Sequence, residues 1–282
     1  MLIARNIAEA RTALAKLRAD GRCIGLVPTM GALHAGHLSL VRAAKAHCSA
    51  VVATIFVNPA QFAPGEDFAM YPRTWETDCT LLEAEGVDLL FAPDAAEMYP
   101  AGASTVVQVT SISDRLDGVS RPGHFVGVAT VVAKLFNIVQ PNHAFFGQKD
   151  AAQVAVLRRM VRDLHFNLEL IVCPTVREPD GLAMSSRNRY LSADERQQAL
   201  VLHRVLRRVE EEIAAGTVDA DPLIDVGLAV LADEPEVRLD YLKIVDPETL
   251  EDLADVSAGA LVAVAAVVGP ARLIDNIVIP AR

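Results

Sequence analysis

The chain has 282 residues and a formal net charge of −10, with 52% hydrophobic and 22% charged residues. This composition is typical of a globular protein that buries a sizeable core, and it excludes an intrinsically disordered chain. The acidic balance argues against a broad nucleic-acid-binding surface, so no DNA or RNA partner is predicted. A bound anion must therefore be held by a few well-placed groups.

The sequence contains no segment that predicts a membrane span or a secretory signal. Its longest apolar run, residues 258–268, is interrupted by Gly259 and is too short to cross a bilayer. The cysteines form no CxxC pair: Cys23, Cys48, Cys79 and Cys173. They predict buried, reduced thiols in a cytoplasmic protein, with a metal site or a disulfide framework as the alternative.

Residues 1–175 alternate strand-like apolar runs with helical patterns. The runs predict strands at 23–28, 50–57, 87–92 and 168–173, and helices near 37–47, 75–86, 126–139 and 150–164. Residues 1–17 predict one further amphipathic helix, whereas the alternating run 104–110 predicts a strand at a sheet edge or a subunit contact. We therefore expect a Rossmann-like α/β domain with helices on both faces of a mostly parallel sheet.

The pattern changes after residue 175. A polar loop at 175–191 precedes a capping box, Ser192 to Glu195, which predicts the start of a long amphipathic helix. A short helix near 222–232 and strands at 238–245, 260–268 and 272–279 complete the chain. We expect residues 176–282 to form a smaller α+β lid domain.

One segment, residues 27–38, leaves a strand, passes through two glycines and enters a helix. The N–H groups and the dipole of a helix N-terminus favour a bound phosphate, and glycine permits close approach of the backbone. His34 and His37 are three residues apart, so their rings project to the same side, where two to four N–H donors can stabilise charge on a phosphoryl oxygen. The alternative is that one histidine caps the helix and the other is exposed.

Two further segments supply cations. Lys149 lies at a helix start, where the dipole disfavours a cation unless a polyphosphate binds; the alternative is a solvated surface lysine. Asp150 is either the N-cap or a ligand for a ribose hydroxyl. Residues 184–187 (Met-Ser-Ser-Arg) lie at the domain boundary, and two hydroxyls with a guanidinium suit a triphosphate. The alternative there is a serine-rich linker.

These segments resemble a known family. The HxGH element at 34–37 is similar to that of the nucleotidyltransferase superfamily, shared with class I aminoacyl-tRNA synthetases, and the longer run 28–37 resembles the pantothenate synthetases. Five later segments fit that family in order and spacing over essentially the whole chain: Asn58-Pro59-Ala60-Gln61-Phe62, Tyr71-Pro72-Arg73, Arg121-Pro122-Gly123-His124-Phe125, Phe145-Phe146-Gly147-Gln148-Lys149-Asp150 and Met184-Ser185-Ser186-Arg187-Asn188. The chain departs from the superfamily's KMSKS-type loop, because Ala183 precedes Met184 and no lysine follows.

The resemblance implies ATP-dependent condensation of (R)-pantoate with β-alanine through a pantoyl adenylate, with Mg²⁺ carried by ATP and a homodimeric assembly. It implies these catalytic residues: His34, His37, Lys149 and Arg187, with His37 as proton donor to the leaving pyrophosphate. It implies these ATP contacts: Met30, Gly31, Ala32, Leu33, His34, Ala35, Gly36, His37, Gly147, Gln148, Lys149, Asp150, Val176, Met184, Ser185, Ser186 and Arg187.

The acid substrate is expected to be held mainly by neutral groups. The resemblance implies that Gln61 and Gln153 bind pantoate and that Gln61 also binds β-alanine; glutamines suit a hydroxy acid because they both donate and accept hydrogen bonds. An apolar wall for the gem-dimethyl group is expected from these residues: Pro28, Met30, Phe62 and Val131.

Several alternatives stay open. Arg121 binds a substrate carboxylate or pairs with an acidic residue in a subunit contact, and the long loop 58–73 is a candidate gate. Asp78 and Asp88 are expected to be solvated helix-end charges, so no protein-held metal is predicted. The rival functions are another nucleotidyltransferase, which needs extra basic residues at its acceptor site, and a non-catalytic nucleotide-binding module.

Overall fold

Two sheets organise residues 1–281, the part of the chain that this computed structural model describes. The strands are β1 (Leu2–Ala4), β2 (Ile24–Val27), β3 (Ala50–Thr54), β4 (Leu89–Phe91), β5 (His143–Gly147), β6 (Glu169–Cys173), β7 (Arg238–Val245), β8 (Ala260–Val268) and β9 (Ala271–Ile279). The helices are α1 (Ile7–Ala19), α2 (Ala35–His47), α3 (Trp75–Ala84), α4 (Ala95–Met98), α5 (Asp117–Ser120), α6 (His124–Val139), α7 (Ala151–Asp163), α8 (Ala193–Gln198), α9 (Val201–Ala215) and α10 (Ala220–Leu231).

The first six strands form a parallel sheet in the order β1-β4-β3-β2-β5-β6. After β2, the chain adds β3 and β4 on one side of β2. It then adds β5 and β6 on the other side, so the strand order reverses between β2 and β5. Ligands of open α/β sheets bind outside the carboxyl ends of the strands at such a reversal. The topology therefore directs a ligand to the residues that follow β2 and β5.

Helices cover both faces of the parallel sheet, as predicted. All residues of β2 and β3 are buried, which explains their uninterrupted apolar sequences. Apolar residues of α1, α6 and α7 form the core on one face, while α2 and α3 supply Val41 and Leu82 to the core on the other. The Rossmann-like α/β expectation is confirmed.

The antiparallel sheet β7-β8-β9 is covered on both faces by different parts of the chain. Helices α9 and α10 pack on one face, with Val205 and Leu223 fully buried. From the other side, Leu261 and Ala263 of β8 join the core of the parallel sheet. The α+β character of this region is confirmed, and part of its sheet belongs to the same core as helices α1, α6 and α7.

Three local predictions are wrong. Residues 2–4 form β1 at the sheet edge instead of helix, and α1 begins only after Asn6, whose side chain accepts the Glu9 N–H at 2.8 Å. The run 104–110 forms no strand, since its Val107 N–H bonds to the Thr130 hydroxyl of α6 at 2.8 Å, and the alternative of a subunit contact there stays a prediction. The helix after Ser192 is divided into α8 and α9.

Strand β5 is absent from the predictions, although it lies beside β2 at the centre of the sheet. Its sequence is only five residues long, and it follows the apolar helix α6 so closely that periodicity does not separate the two. Finally, none of the described helices is both long and apolar enough to cross a bilayer.

Candidate active site

Three adjoining cavities open at the carboxyl edge of the parallel sheet. We call them the histidine cavity (about 190 Å³), the inner cavity (about 150 Å³) and the outer cleft (about 360 Å³). The histidine cavity is lined by Met30, His34, Gly36, His37, Leu40, Gln61, Tyr71, Arg121, His124, Gly147, Lys149, Asp150, Gln153, Pro174, Thr175, Val176, Met184, Ser185, Ser186 and Arg187. The inner cavity shares His37 and Gln153 with it, and the outer cleft shares Lys149 and Arg187.

The turn between β2 and α2 is held from below by a buried carboxylate. Asp78 Oδ2 accepts the Ala32 N–H at 2.9 Å and Oδ1 accepts the Leu33 N–H at 2.8 Å, while the Thr74 hydroxyl donates to Oδ1 at 3.0 Å. Asp78 is only 1% exposed, so the expectation of a solvated charge is wrong. It also follows that the N–H groups of Ala32 and Leu33 are already bonded and are not free to hold a phosphate.

Both histidines cap helix α2 and also line the cavity. His34 Nδ1 accepts the Gly36 N–H at 3.2 Å, and His37 Nδ1 accepts the His34 N–H at 3.4 Å. A backbone N–H can only donate, so each Nδ1 is unprotonated and each neutral ring carries its proton on Nε2. The ring centroids are 4.1 Å apart. The pair therefore offers two N–H donors in fixed tautomers, at the lower limit of the predicted two to four.

Burial keeps these rings neutral. Desolvation lowers the pKa of His37 to about 3, with a further contribution from His34 beside it. Desolvation also lowers the pKa of His34 to about 4, assisted by the positive charges of Lys149 and Arg189. Both rings are therefore uncharged hydrogen-bond donors at neutral pH.

The two glycines of the turn serve different purposes. Gly31 has φ +82°, in the left-handed region that favours glycine. Gly36 makes room for the neighbouring histidine, because a Cβ at this position would lie 2.9 Å from the His34 ring. The close approach predicted for the backbone thus accommodates the His34 ring itself.

The cations already have partners. Lys149 Nζ lies 3.3 Å from Asp150 Oδ1. Arg187 makes a bidentate contact with Asp67 of the long loop, with Nε–Oδ2 at 3.0 Å and Nη2–Oδ1 at 2.9 Å. Asp150 occupies the N-cap position of α7, but its side chain makes no capping bond. Sequence reasoning assigned no role to Asp67, because nothing local links two residues 120 positions apart.

The serines of the 184–187 segment make hydrogen bonds beside the histidine cavity. Ser185 Oγ accepts the Arg187 N–H at 3.3 Å, and Ser186 Oγ lies 3.2 Å from the Tyr71 hydroxyl. The Met184 N–H donates to the Val176 carbonyl at 3.0 Å. The loop 58–73 and the 184–187 segment therefore meet over the histidine cavity.

A buried asparagine positions Gln61. Asn58 Nδ2 donates to Gln61 Oε1 at 3.1 Å, and Asn58 Oδ1 accepts from the Tyr99 hydroxyl at 2.8 Å. His124, whose pKa burial lowers to about 4, contacts the Gln61 carbonyl through Nδ1 at 2.8 Å. Nothing in the local sequence Asn-Pro-Ala-Gln-Phe indicates that its asparagine holds its glutamine.

The apolar wall of the inner cavity is mostly as expected. Pro28, Met30 and Val131 line it, but Phe62 does not. Phe62 packs instead against Phe68 and Tyr71, with centroid distances of 5.3 and 6.0 Å. The wall is completed by residues that the sequence did not single out: Phe56, Val128, Val132, Leu135 and Phe146.

Arg121 pairs with an acidic residue of its own chain. Its Nε and Nη2 donate to the Glu66 carboxylate at 2.8 and 2.7 Å, and Nη1 lies 3.0 Å from His124 Nε2. The subunit contact is therefore not needed to satisfy this guanidinium. The arginine still borders both the histidine cavity and the outer cleft.

Twelve of the predicted ATP contacts line the histidine cavity, and the structure does not bring the others to it: Gly31, Ala32, Leu33, Ala35 and Gln148. Gln148 Nε2 instead donates to Asn276 Oδ1 of β9 at 2.9 Å, and Asn276 Nδ2 donates to the Lys149 carbonyl at 2.9 Å. Asn276 thus fixes the backbone beside Lys149, and no local motif could have identified it.

Comparison with known proteins gives a consistent result. The family model for pantoate-beta-alanine ligase matches residues 2–278. Pantothenate synthetase of Acidobacterium capsulatum is 64% identical, covering 98% of this chain and 96% of that protein, and the Koribacter versatilis enzyme is 58% identical over 100% and 97%.

Solved structures agree. Pantothenate synthetase from Thermus thermophilus superimposes with a TM-score of 0.94 at 51% identity, covering 98% of this chain and 99% of that one. Pantoate-beta-alanine ligase from Francisella tularensis, complexed with beta-gamma ATP and beta-alanine, gives a TM-score of 0.81 at 34% identity, covering 99% and 97%. The fold thus matches solved structures over nearly the whole chain, and the chain is a member of the pantoate-beta-alanine ligase family.

Proposed function

We propose that this pantoate–β-alanine ligase forms pantothenate from ATP, (R)-pantoate and β-alanine in two steps. A pantoate carboxylate oxygen attacks the α-phosphorus, and the bond to pyrophosphate breaks. The β-alanine amine then attacks the acyl carbon of the pantoyl adenylate, releasing AMP and a proton. The observation that carries the proposal is a pair of neutral histidines, with protons on Nε2, between a cation-lined cavity and a small, largely apolar one.

In the first step, His34 and His37 act as N–H donors to the α-phosphate. Their Nδ1 atoms are held by the backbone, so the donors are oriented before substrate binds and need no reorganisation as charge develops. Full proton donation by His37 to pyrophosphate requires the phosphates to raise its pKa from about 3. No covalent nucleophile is needed, because positioning and charge stabilisation supply the acceleration.

The triphosphate is held by Lys149, Ser185, Ser186 and Arg187. Because Arg187 already binds Asp67 in a bidentate manner, the phosphates must replace that carboxylate. The exchange couples nucleotide binding to release of the 58–73 loop. Mg²⁺ enters with ATP as part of the substrate, bound mainly by phosphate oxygens and water.

Pantoate occupies the inner cavity. Gln61 and Gln153 bind its hydroxyl groups, while Pro28, Met30 and Val131 contact the gem-dimethyl group. Among the described residues that line this cavity there is no Lys or Arg. That lining disfavours the rival nucleotidyltransferase, since a phosphorylated acceptor needs basic partners. β-Alanine then enters through the outer cleft and reaches Gln61, which lines the histidine and inner cavities.

We propose that residues 176–282 act as a lid on residues 1–175 and shield the adenylate from water. Arg187 comes from the lid, whereas Lys149 and Asp67 come from the larger part. The Asn276 contacts to Gln148 and Lys149 join the two parts at the site. A homodimer in the cytoplasm completes the proposal, and a solution mass near the 30.3 kDa of one chain would contradict the dimer.

Pantoate-dependent exchange of labelled pyrophosphate into ATP, without β-alanine, tests the two-step reaction. Exchange with pantoate alone is the expected result, because adenylate formation is reversible before the amine arrives. Nucleotide binding without exchange would contradict the adenylate and favour the non-catalytic module. Exchange with a phosphorylated acid in place of pantoate would favour the rival nucleotidyltransferase.

A further inference from the structure

A cluster of soft metal ligands lies at the edge of the parallel sheet opposite the active site. Cys23 directly precedes β2, Cys48 ends α2 two residues before β3, and His143 is the first residue of β5. Strands β3, β2 and β5 are neighbours in the sheet, so their amino ends meet. This topology brings together residues that are far apart in the chain.

The geometry suits a tetrahedral ion. Cys23 Sγ and Cys48 Sγ are 3.1 Å apart, and one ligand atom from each of the three residues lies within 4.8 Å of the others. Zn–S bonds of about 2.3 Å and Zn–N bonds of about 2.0–2.1 Å put tetrahedral ligand atoms roughly 3.5–3.8 Å apart. The two sulfur atoms therefore need to separate by about 0.7 Å, and the more distant ligand atoms need to approach by up to about 1.3 Å, which side-chain rotation can supply.

The imidazole has an unused atom and a suitable neighbour. His143 Nδ1 is buried without a hydrogen bond, and it lies 3.3 Å from Glu169 Oε2 on the adjacent strand. A carboxylate that accepts the Nδ1 proton leaves Nε2 as the atom that binds the ion, which is the usual arrangement of an outer partner around a metal-binding histidine. The side chain of His143 is 25% exposed and Cys23 is half-buried, so an ion can reach the cluster from solvent.

The charges also balance. Two thiolates and a neutral imidazole around a divalent cation form a neutral group, which avoids the cost of a net charge in a partly buried place. Thiolate and imidazole favour Zn²⁺ over Mg²⁺, the ion carried by ATP. A simple disulfide would account for the cysteines alone and would leave the histidine without a role.

We propose that Cys23, Cys48 and His143 bind one Zn²⁺ ion, with solvent at the fourth position. The ion joins the amino ends of three adjacent strands, so it stabilises the folded chain by selective binding to it. The site is separate from the catalytic cavities, because it lies at the opposite ends of the same strands.

Titration of the reduced, metal-free full-length chain tests the proposal. Zn²⁺ alone is added in a calorimeter, and Co²⁺ is used as a spectroscopic substitute that reports thiolate coordination by a charge-transfer band. We expect one equivalent of either ion, the band, and protection of two of the four thiols from a thiol-reactive dye. No thiolate band, or no protection, would overturn the site.

Variants locate the ion. Cys48→Ser and His143→Gln each remove a ligand, so Zn²⁺ affinity is expected to fall by more than the roughly 10–100-fold that loss of an outer partner costs. Cys79→Ser, a cysteine outside the cluster, is the matched control and keeps the wild-type affinity. Undiminished binding by Cys48→Ser, with pyrophosphate exchange confirming that it is folded, would contradict the assignment. Two thiols recovered only after reduction of the isolated protein would show a disulfide instead and equally refute it.

Discussion

Two segments face the proposed position of the triphosphate, and the structure holds them in opposite ways. The histidine turn, residues 28–37, is locked by Asp78 below it and by reciprocal capping within it. The 184–187 segment instead presents a charged Arg187 that is bound by the exchangeable carboxylate of Asp67. The first region offers neutral donors in a fixed place, and the second offers a charge that must change partners.

The difference fits the two tasks of the proposed adenylation. Charge that develops on the α-phosphate is best stabilised by donors that do not move, because the entropy lost in ordering those donors is already lost when the chain folds. ATP must also enter and pyrophosphate must leave, so the groups around the outer phosphates need an alternative partner. The locked turn and the exchangeable ion pair serve these two requirements.

The largest effect is expected from removing a locked donor. His37→Ala is predicted to reduce pantoate-dependent pyrophosphate exchange by about 100-fold or more, the scale of losing one preorganised donor. His165→Asn, an exposed histidine outside the cavities, serves as the control and should retain the wild-type rate. A near-wild-type rate for His37→Ala would remove His37 from the mechanism.

Loosening the turn without touching its donors should have the next largest effect. Asp78→Asn replaces an acceptor by an amide that cannot accept both N–H groups, so we expect a loss of about 2 kcal/mol in the free energy of unfolding. The exchange rate should fall about tenfold as the rings lose their position. Urea unfolding and pyrophosphate exchange measure the two quantities.

Asp88→Asn is the matched control for this variant. Asp88 also accepts a backbone N–H, that of Val51 at 2.8 Å, but it does not line the cavities. It should lose stability and keep its turnover. Equal losses of turnover in the two variants would mean that Asp78 acts through general stability alone.

Because burial keeps the His37 ring of this turn neutral, the free energy of unfolding should depend on pH. The pKa of His37 is about 3 in the folded chain, against an ordinary 6.5, so the unfolded state takes up a proton first as the pH falls. Stability is therefore complete above pH 6.5 and is lost as the pH approaches 3. Linkage gives a loss of about 2 kcal/mol from this residue between pH 7 and pH 5. Urea unfolding of His37→Ala should show a correspondingly smaller loss, and parallel curves would contradict the assignment.

The smallest effect concerns the exchangeable pair. Asp67→Asn removes the carboxylate that competes with phosphate for Arg187, so the KM for ATP should fall by up to about fivefold, the equivalent of roughly 1 kcal/mol. Glu66→Gln, which releases Arg121 instead, is the control and should leave that KM unchanged. A rise in the KM of Asp67→Asn would mean that the ion pair orders the site for ATP.

Local sequence was a reliable guide wherever backbone periodicity or a motif decided the outcome. The bounds of β7 and β8 were predicted to the residue, and the two histidines do share one side of the α2 start. Residues 2–4 were misassigned, because three apolar residues next to a helix pattern look like its continuation. Only pairing with β4, far along the chain, makes them a strand.

The amino-acid sequence was sufficient for most of the helices and strands, although not for β1 and β5, and for the positions of the histidine turn, Lys149 and Arg187. Their partners were set by the folded chain: Asp78 under the turn, Asp67 on Arg187, Asn276 beside Lys149, and the meeting of Cys23, Cys48 and His143. The reason is the range of the interactions. Helix and turn preferences act over a few residues, whereas hydrogen bonds and ion pairs between distant residues exist only after the strands are ordered in the sheet.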